Sequence, residues 1–170
     1  MPKIELNTII DSSLDICFDL STSIDLHKIS TAHTGEEAID GKCSGLITLG
    51  ESVTWKATHF GVSQKLTSTI TKYSRPYHFR DEQTKGIFKS FSHDHSFNAV
   101  GGKVLMTDVF RFESPMGIAG RLFNKFILTA YLTRLLTERN NIIKTYAESQ
   151  LWKTVLPEKD AAILLHETPG

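Results

Sequence analysis

Cysteine is nearly missing from this chain. Cys17 and Cys43 are the only two, and their spacing fits neither a disulfide framework nor a zinc knuckle, so a reducing cytoplasm is the expected compartment. An excess of charge is missing as well. Nineteen Lys and Arg are matched by nineteen Asp and Glu, and no basic block stands out, which removes the footprint of a nucleic-acid or anionic-lipid binder. Long hydrophobic runs are absent too. The opening Met-Pro-Lys-Ile-Glu-Leu-Asn has no apolar signal-peptide core, and the most apolar stretch, Phe126 to Leu136, is broken by Thr129, Thr133 and Arg134. No integral membrane segment is expected. No Gly-x-Ser-x-Gly elbow occurs, and Gly41-Lys-Cys-Ser-Gly45 lacks the ending of a phosphate loop.

What is present is enough for one domain with a real core: 170 residues, 40% of them apolar. Ile4, Leu6, Thr8 and Ile10 alternate with Lys3, Glu5 and Asn7, the pattern of a half-buried strand. Ser12 followed by Asp15 reads as a capping box, and Ile16, Cys17 and Leu20 then recur at helical spacing. A second short helix runs through Ile24, Leu26 and Ile29, with a strand near Glu36–Ile39. Strands follow at 52–60, 62–74, 76–83, 87–99 and 103–114, punctuated by Gly61, Pro76, Gly86 and Gly101-Gly102. Strands so close in sequence pair as antiparallel hairpins. Past Pro115 the period becomes helical. A helix over 117–149 would be about 50 Å long; it is expected to press Phe123, Phe126, Ile127 and Ala130 against the sheet, with Arg139 off that stripe. The domain is expected to span 1–150, leaving 151–170 as a tail.

Strand parity identifies the inward side chains. Phe91, His93, His95 and Phe97 alternate with Ser90, Ser92, Asp94 and Ser96, so the odd face is the inner one. By the same rule Trp55 and His59 face inward, as do Met106, Asp108 and Phe110. A two-residue turn at Gly101-Gly102 pairs Val100 with Lys103 and therefore sets His95 opposite Asp108. A buried carboxylate needs a donor, and a carboxylate beside a histidine favours the protonated ring. The pair reads as a register-fixing hydrogen bond, a ligand-orienting contact or an acid–base couple. Arg80-Asp81-Glu82 reads as a charge run facing solvent. His59, His93, His95 and Asp108 invite a metal reading, yet no further partner at coordinating distance is evident, so no metal is expected.

Three segments carry a family resemblance: Val53-Thr-Trp-Lys-Ala-Thr-His-Phe-Gly61, Phe91-Ser-His-Asp-His-Ser-Phe97 and Leu105-Met-Thr-Asp-Val-Phe-Arg-Phe112. Over roughly residues 1–150 the chain resembles the SRPBCC, or START-like, helix-grip superfamily, in its bacterial polyketide-cyclase-like branch. The resemblance implies an α+β fold: a curved antiparallel sheet of about seven strands around a long C-terminal helix, with two short helices after the first strand. It also implies a cavity between them for a small apolar ligand. With the inward faces, the expected lining is the set Trp55, His59, Phe91, His93, His95, Phe97, Met106, Asp108 and Phe110 from the sheet, and Phe123, Phe126, Ile127 and Ala130 from the helix. The expected volume is about 300–600 Å³. Non-catalytic binding or carriage, without a cofactor, is the first function implied. A cyclase or dehydratase using His95 and Asp108 is the second, and a co-chaperone-like protein-interaction module the third.

Overall fold

Alternation of apolar and polar side chains builds most of this chain into one sheet. The computed structural model describes residues 1–113 and 127–157. Strands β1 (Lys3–Ile10), β2 (Glu37–Gly41), β3 (Ser52–His59), β4 (Val62–Ser74), β5 (His78–Lys85), β6 (Ser90–Val100) and β7 (Lys103–Glu113) form a seven-stranded curved sheet in the order β1-β7-β6-β5-β4-β3-β2. Every neighbouring pair is antiparallel. The register of β6 on β7 is the one the two-residue turn requires, with Val100 opposite Lys103, His95 opposite Asp108 and His93 opposite Phe110. Gly101 and Gly102 both have positive φ, 57° and 76°, the backbone that a tight hairpin demands and that glycine adopts without strain.

Two short helices, α1 (Leu14–Thr22) and α2 (Ile24–Ser30), follow β1. The cap of α1 is Ser13, whose hydroxyl accepts from the Ile16 backbone N–H at 3.2 Å; this corrects the expectation of Ser12. Ser23 ends α1 and caps α2 through its own hydroxyl. That single shared residue turns the chain sharply. Asp19 of α1, fully buried, takes two hydrogen bonds from the Arg75 guanidinium at 2.8 and 2.7 Å. A planar fork on a carboxylate fixes direction as well as distance, so it ties α1 to the β4–β5 corner. Phe18 is wholly buried and packs edge-on against Tyr73, Phe79 and Phe97.

The long helix is described over Thr129–Ala147 and is here called α3. Residues 117–126 of the expected helix, with Phe123 and Phe126, lie outside the described residues. The expected sheet-facing stripe needs correction. Ile127 is 52% exposed and Ala130 is exposed. The helix turns a different face inward: Leu128, Leu132 and Leu136 pack on Phe91, Phe110 and Phe112, and Asn140, Ile143 and Ala147 continue the row. These positions fall four, four, four, three and four apart, one stripe of a 3.6-residue period. Arg139 is not off the stripe but buried at 8% exposure. After α3, Trp152 and Leu156 return to the main core at 5% exposure each, beyond the boundary expected at residue 150. Among the described residues no helix is long and apolar enough to cross a membrane.

Candidate functional site

Three adjacent strands bring four titratable side chains to one buried point. Antiparallel register sets Asp81 of β5 opposite His93 of β6, and His95 of β6 opposite Asp108 of β7. All four fall on the inner face, since each strand alternates and Phe79, Phe91, Phe97 and Phe110 share that face. Asp108 Oδ1 lies 3.1 Å from His93 Nε2 and 2.7 Å from His95 Nδ1. The first contact is a hydrogen bond. The second is a close ion-pair contact with the same carboxylate oxygen. On the far side, Asp81 Oδ1 lies 3.1 Å from His95 Nε2 and 3.9 Å from His93 Nδ1. The two imidazoles, 3.8 Å apart between ring centroids, are thus held between two carboxylates. Phe79 stacks on His95 at 4.1 Å.

Helix α3 closes the cluster from above. Asn140 Nδ2 donates to Asp108 Oδ2 at 2.7 Å, and Arg139 Nη1 stands 3.7 Å from Asp108 Oδ1. Arg139 Nη2 donates to the Ser21 carbonyl at 3.1 Å. These contacts explain the burial of a charged and an amide side chain on a helix face: each meets a partner of complementary polarity.

The electrostatics follow from that geometry. Burial pushes the Asp108 carboxyl up, but the bonds from His93 and His95 outweigh it and hold it well below the usual carboxylate range. Asp81 is lowered for the same reason, burial being overcome by the His95 hydrogen bond and the nearby His93. Burial opposes protonation of His95, yet its contacts with Asp108 and Asp81 hold it above its ordinary value. Burial, joined by the neighbouring His95, drives His93 below its own. Two carboxylates are thus set against the Arg139 guanidinium and two imidazoles, and His95 is the imidazole whose contacts favour the charged form. Buried carboxylates in a low-dielectric interior require such opposing partners.

The cluster forms one wall of a cavity of about 410 Å³ between the sheet and α3. Trp55, Ala57, Ile70, Phe91, Phe110 and Leu132 supply apolar lining, while Asp81, His93, His95 and Arg139 supply polar atoms. Glu36, His27, His59 and Tyr131 also line it. His59 Nδ1 and the Tyr131 hydroxyl are hydrogen-bonded at 2.8 Å, and His27 stacks on Trp55 at 4.2 Å. Burial lowers His59 and raises Tyr131, which keeps both neutral near pH 7.

Of the side chains expected from sequence, Trp55, His59, Phe91, His93, His95 and Phe110 line this cavity. Asp108 sits behind the two histidines, and Phe97 and Met106 pack in solid core beneath it with no exposure. Ala130 lies on the exposed side of α3 and Ile127, just before the helix, is exposed as well, while Phe123 and Phe126 are outside the described residues. Sequence reasoning missed Asp81, Arg139 and Asn140. A signal for Asp81 existed: it shares strand parity with Phe79, whereas Arg80 pairs on the outer face with Asp94 at 2.7 Å.

No family model matches the chain, and no curated protein sequence matches it. Solved structures do. A START superfamily protein from Mycobacterium smegmatis superposes with a TM-score of 0.65 at 10% identity, covering 88% of this chain and 98% of that one. The major latex-like protein 151 of Panax ginseng gives a TM-score of 0.64 at 18% identity, with coverage of 87% and 98%. A protein from Thermus thermophilus, TTHA0849, gives 0.65 at 14% identity, covering 84% and 97%. At these identities the likeness carries the fold. The chain has the START-like helix-grip fold, a curved antiparallel sheet closed on a long C-terminal helix.

Proposed function

We propose that this chain binds or carries a small, mainly apolar molecule in the cavity between the sheet and α3, without changing it. The observation that carries the reading is the cavity itself, about 410 Å³ of space walled by Trp55, Leu66, Ile70, Phe91, Phe110 and Leu132. A volume of that size is what small-molecule sites occupy, and apolar walls with few polar groups are their usual chemistry. The polar groups give orientation: a ligand oxygen can meet Arg139 or His95 at one wall, or Tyr131 and His59 elsewhere. Both cysteines are unpaired, and burial pushes the Cys17 thiol up to about 12.

Ala57 is buried and lines the cavity, so an Ala57→Trp replacement fills space that a ligand would use. A hydrophobic fluorescent probe is expected to bind the wild-type protein saturably. The Ala57→Trp variant, folded by circular dichroism, is expected to bind it at least about 10-fold more weakly. Equal binding by both proteins would place the probe elsewhere and remove the basis for this reading.

A second reading, proton transfer on a bound molecule, is favoured by one observation: Asp81 and His95 both reach the cavity wall within hydrogen-bond distance of each other. In that reading Asp108, which does not line the cavity, positions the imidazoles, and the proton moves at His95 or Asp81.

A further inference from the structure

The sequence argues against a metal because the histidines lack a further ligand. The fold supplies one from a residue whose charge run reads as solvated. Asp81 Oδ1, His93 Nδ1 and His95 Nε2 face one another, and the ligand atoms of these three residues all lie within 4.8 Å of one another. A tetrahedral ion bonded at about 2.0–2.1 Å spaces its ligand atoms about 3.3 Å apart. The separations from Asp81 Oδ1, 3.1 and 3.9 Å, bracket that value.

We propose that Asp81, His93 and His95 bind a first-row divalent cation, for which zinc is the simplest probe, with the remaining coordination position open to the cavity. Two histidines and one carboxylate are a donor set that such ions accept. A separate observation concerns the opposite nitrogens. His93 Nε2 and His95 Nδ1 both face Asp108, so one carboxylate sets the orientation of both rings and turns their other nitrogens toward Asp81. That is the outer-shell support metal-binding histidines ordinarily have. Asn140 holds Asp108 in turn from α3. The cavity position completes the case, because Asp81, His93 and His95 all line it.

Charge identifies what the open position takes. With both imidazoles neutral, Asp81, Asp108 and Arg139 sum to one negative charge, and a divalent ion makes that one positive. Water-derived hydroxide or an anionic oxygen of a cavity-bound molecule, such as a carboxylate or phenolate, restores neutrality. The site does not depend on the carrier reading: an ion can bind whether or not an apolar molecule does.

The test uses untagged protein with Cys43→Ser, which removes the exposed thiol, stripped by chelator and titrated with zinc in a calorimeter. Saturation at a single equivalent is expected, and Asp81→Asn is expected to weaken binding by at least about 100-fold. His78→Gln, which alters a histidine paired with Asp94 on the outer face of the sheet, is expected to leave the affinity unchanged. In the unsubstituted cluster, zinc is expected to displace the imidazole nitrogen resonances of His93 and His95 and not those of His59. That spectrum decides the matter even if Asp81→Asn fails to fold. Absence of saturable binding, equal affinity in folded Asp81→Asn, or unmoved His93 and His95 resonances would overturn the site and leave a cluster bridged by a proton alone.

Discussion

Replacing Asp108 with asparagine is expected to destabilise the protein by about 3–5 kcal/mol in chemical denaturation, although the two side chains are nearly the same shape. Asp108 is 1% exposed and meets His93, His95, Asn140 and Arg139. Each neighbour presents a donor or a positive charge. An amide in its place turns an NH2 toward at least one donor and leaves the Arg139 guanidinium and the His95 ring facing Asp81 alone. The pH dependence has a definite sign. The folded Asp108 carboxyl lies well below its ordinary value, so its contribution is present above the usual carboxylate range and lost as pH falls through the folded value. The acid limb of the stability profile, below about pH 4, is therefore expected to be shallower in Asp108→Asn than in wild type. A loss under about 1 kcal/mol would mean that the cluster is solvated and its ion pairs ordinary surface pairs.

Phe18→Ala is expected to be as damaging for a different reason. Phe18 has no exposed surface and meets three rings edge-on, Tyr73, Phe79 and Phe97, at centroid distances of 5.2 to 5.5 Å. Truncation removes the ring from the centre of the core and opens a void that α1 cannot close, because Asp19, one residue on, is clamped by Arg75. The expected cost is about 3–5 kcal/mol. The midpoint of urea unfolding should fall without a change in slope. A cost near 1 kcal/mol would show α1 relaxing into the void.

The sheet was legible where a turn left no freedom. Gly101-Gly102 admits one pairing, and from it the facing of His95 and Asp108 follows by counting. Parity did the same for Trp55, Phe91 and Phe110. The misreadings have a common cause: polar residues were assigned by charge where position governs. Arg80, Asp81 and Glu82 are all charged, yet alternation sends only Asp81 to the side of Phe79. Arg139 and Asn140 look foreign to an apolar stripe, and their burial depends on Asp108, a partner on another element about thirty positions away in the chain. Which face of α3 turns inward is likewise a tertiary choice, because the helix carries apolar residues on more than one side, the exposed Ala130 among them. The cavity is of the same kind. Its walls were readable one side chain at a time, but its volume depends on how far the curved sheet bends from a straight helix.

Native mass spectrometry of the protein purified from its own host tests the central claim most directly. A complex heavier than the 19.1 kDa chain by a small molecule on the order of a few hundred daltons is expected. That added mass should disappear after organic extraction and be absent from Ala57→Trp purified in parallel. An added mass that persists unchanged in Ala57→Trp, or bare chain alone from wild type, would contradict a ligand held between the sheet and α3.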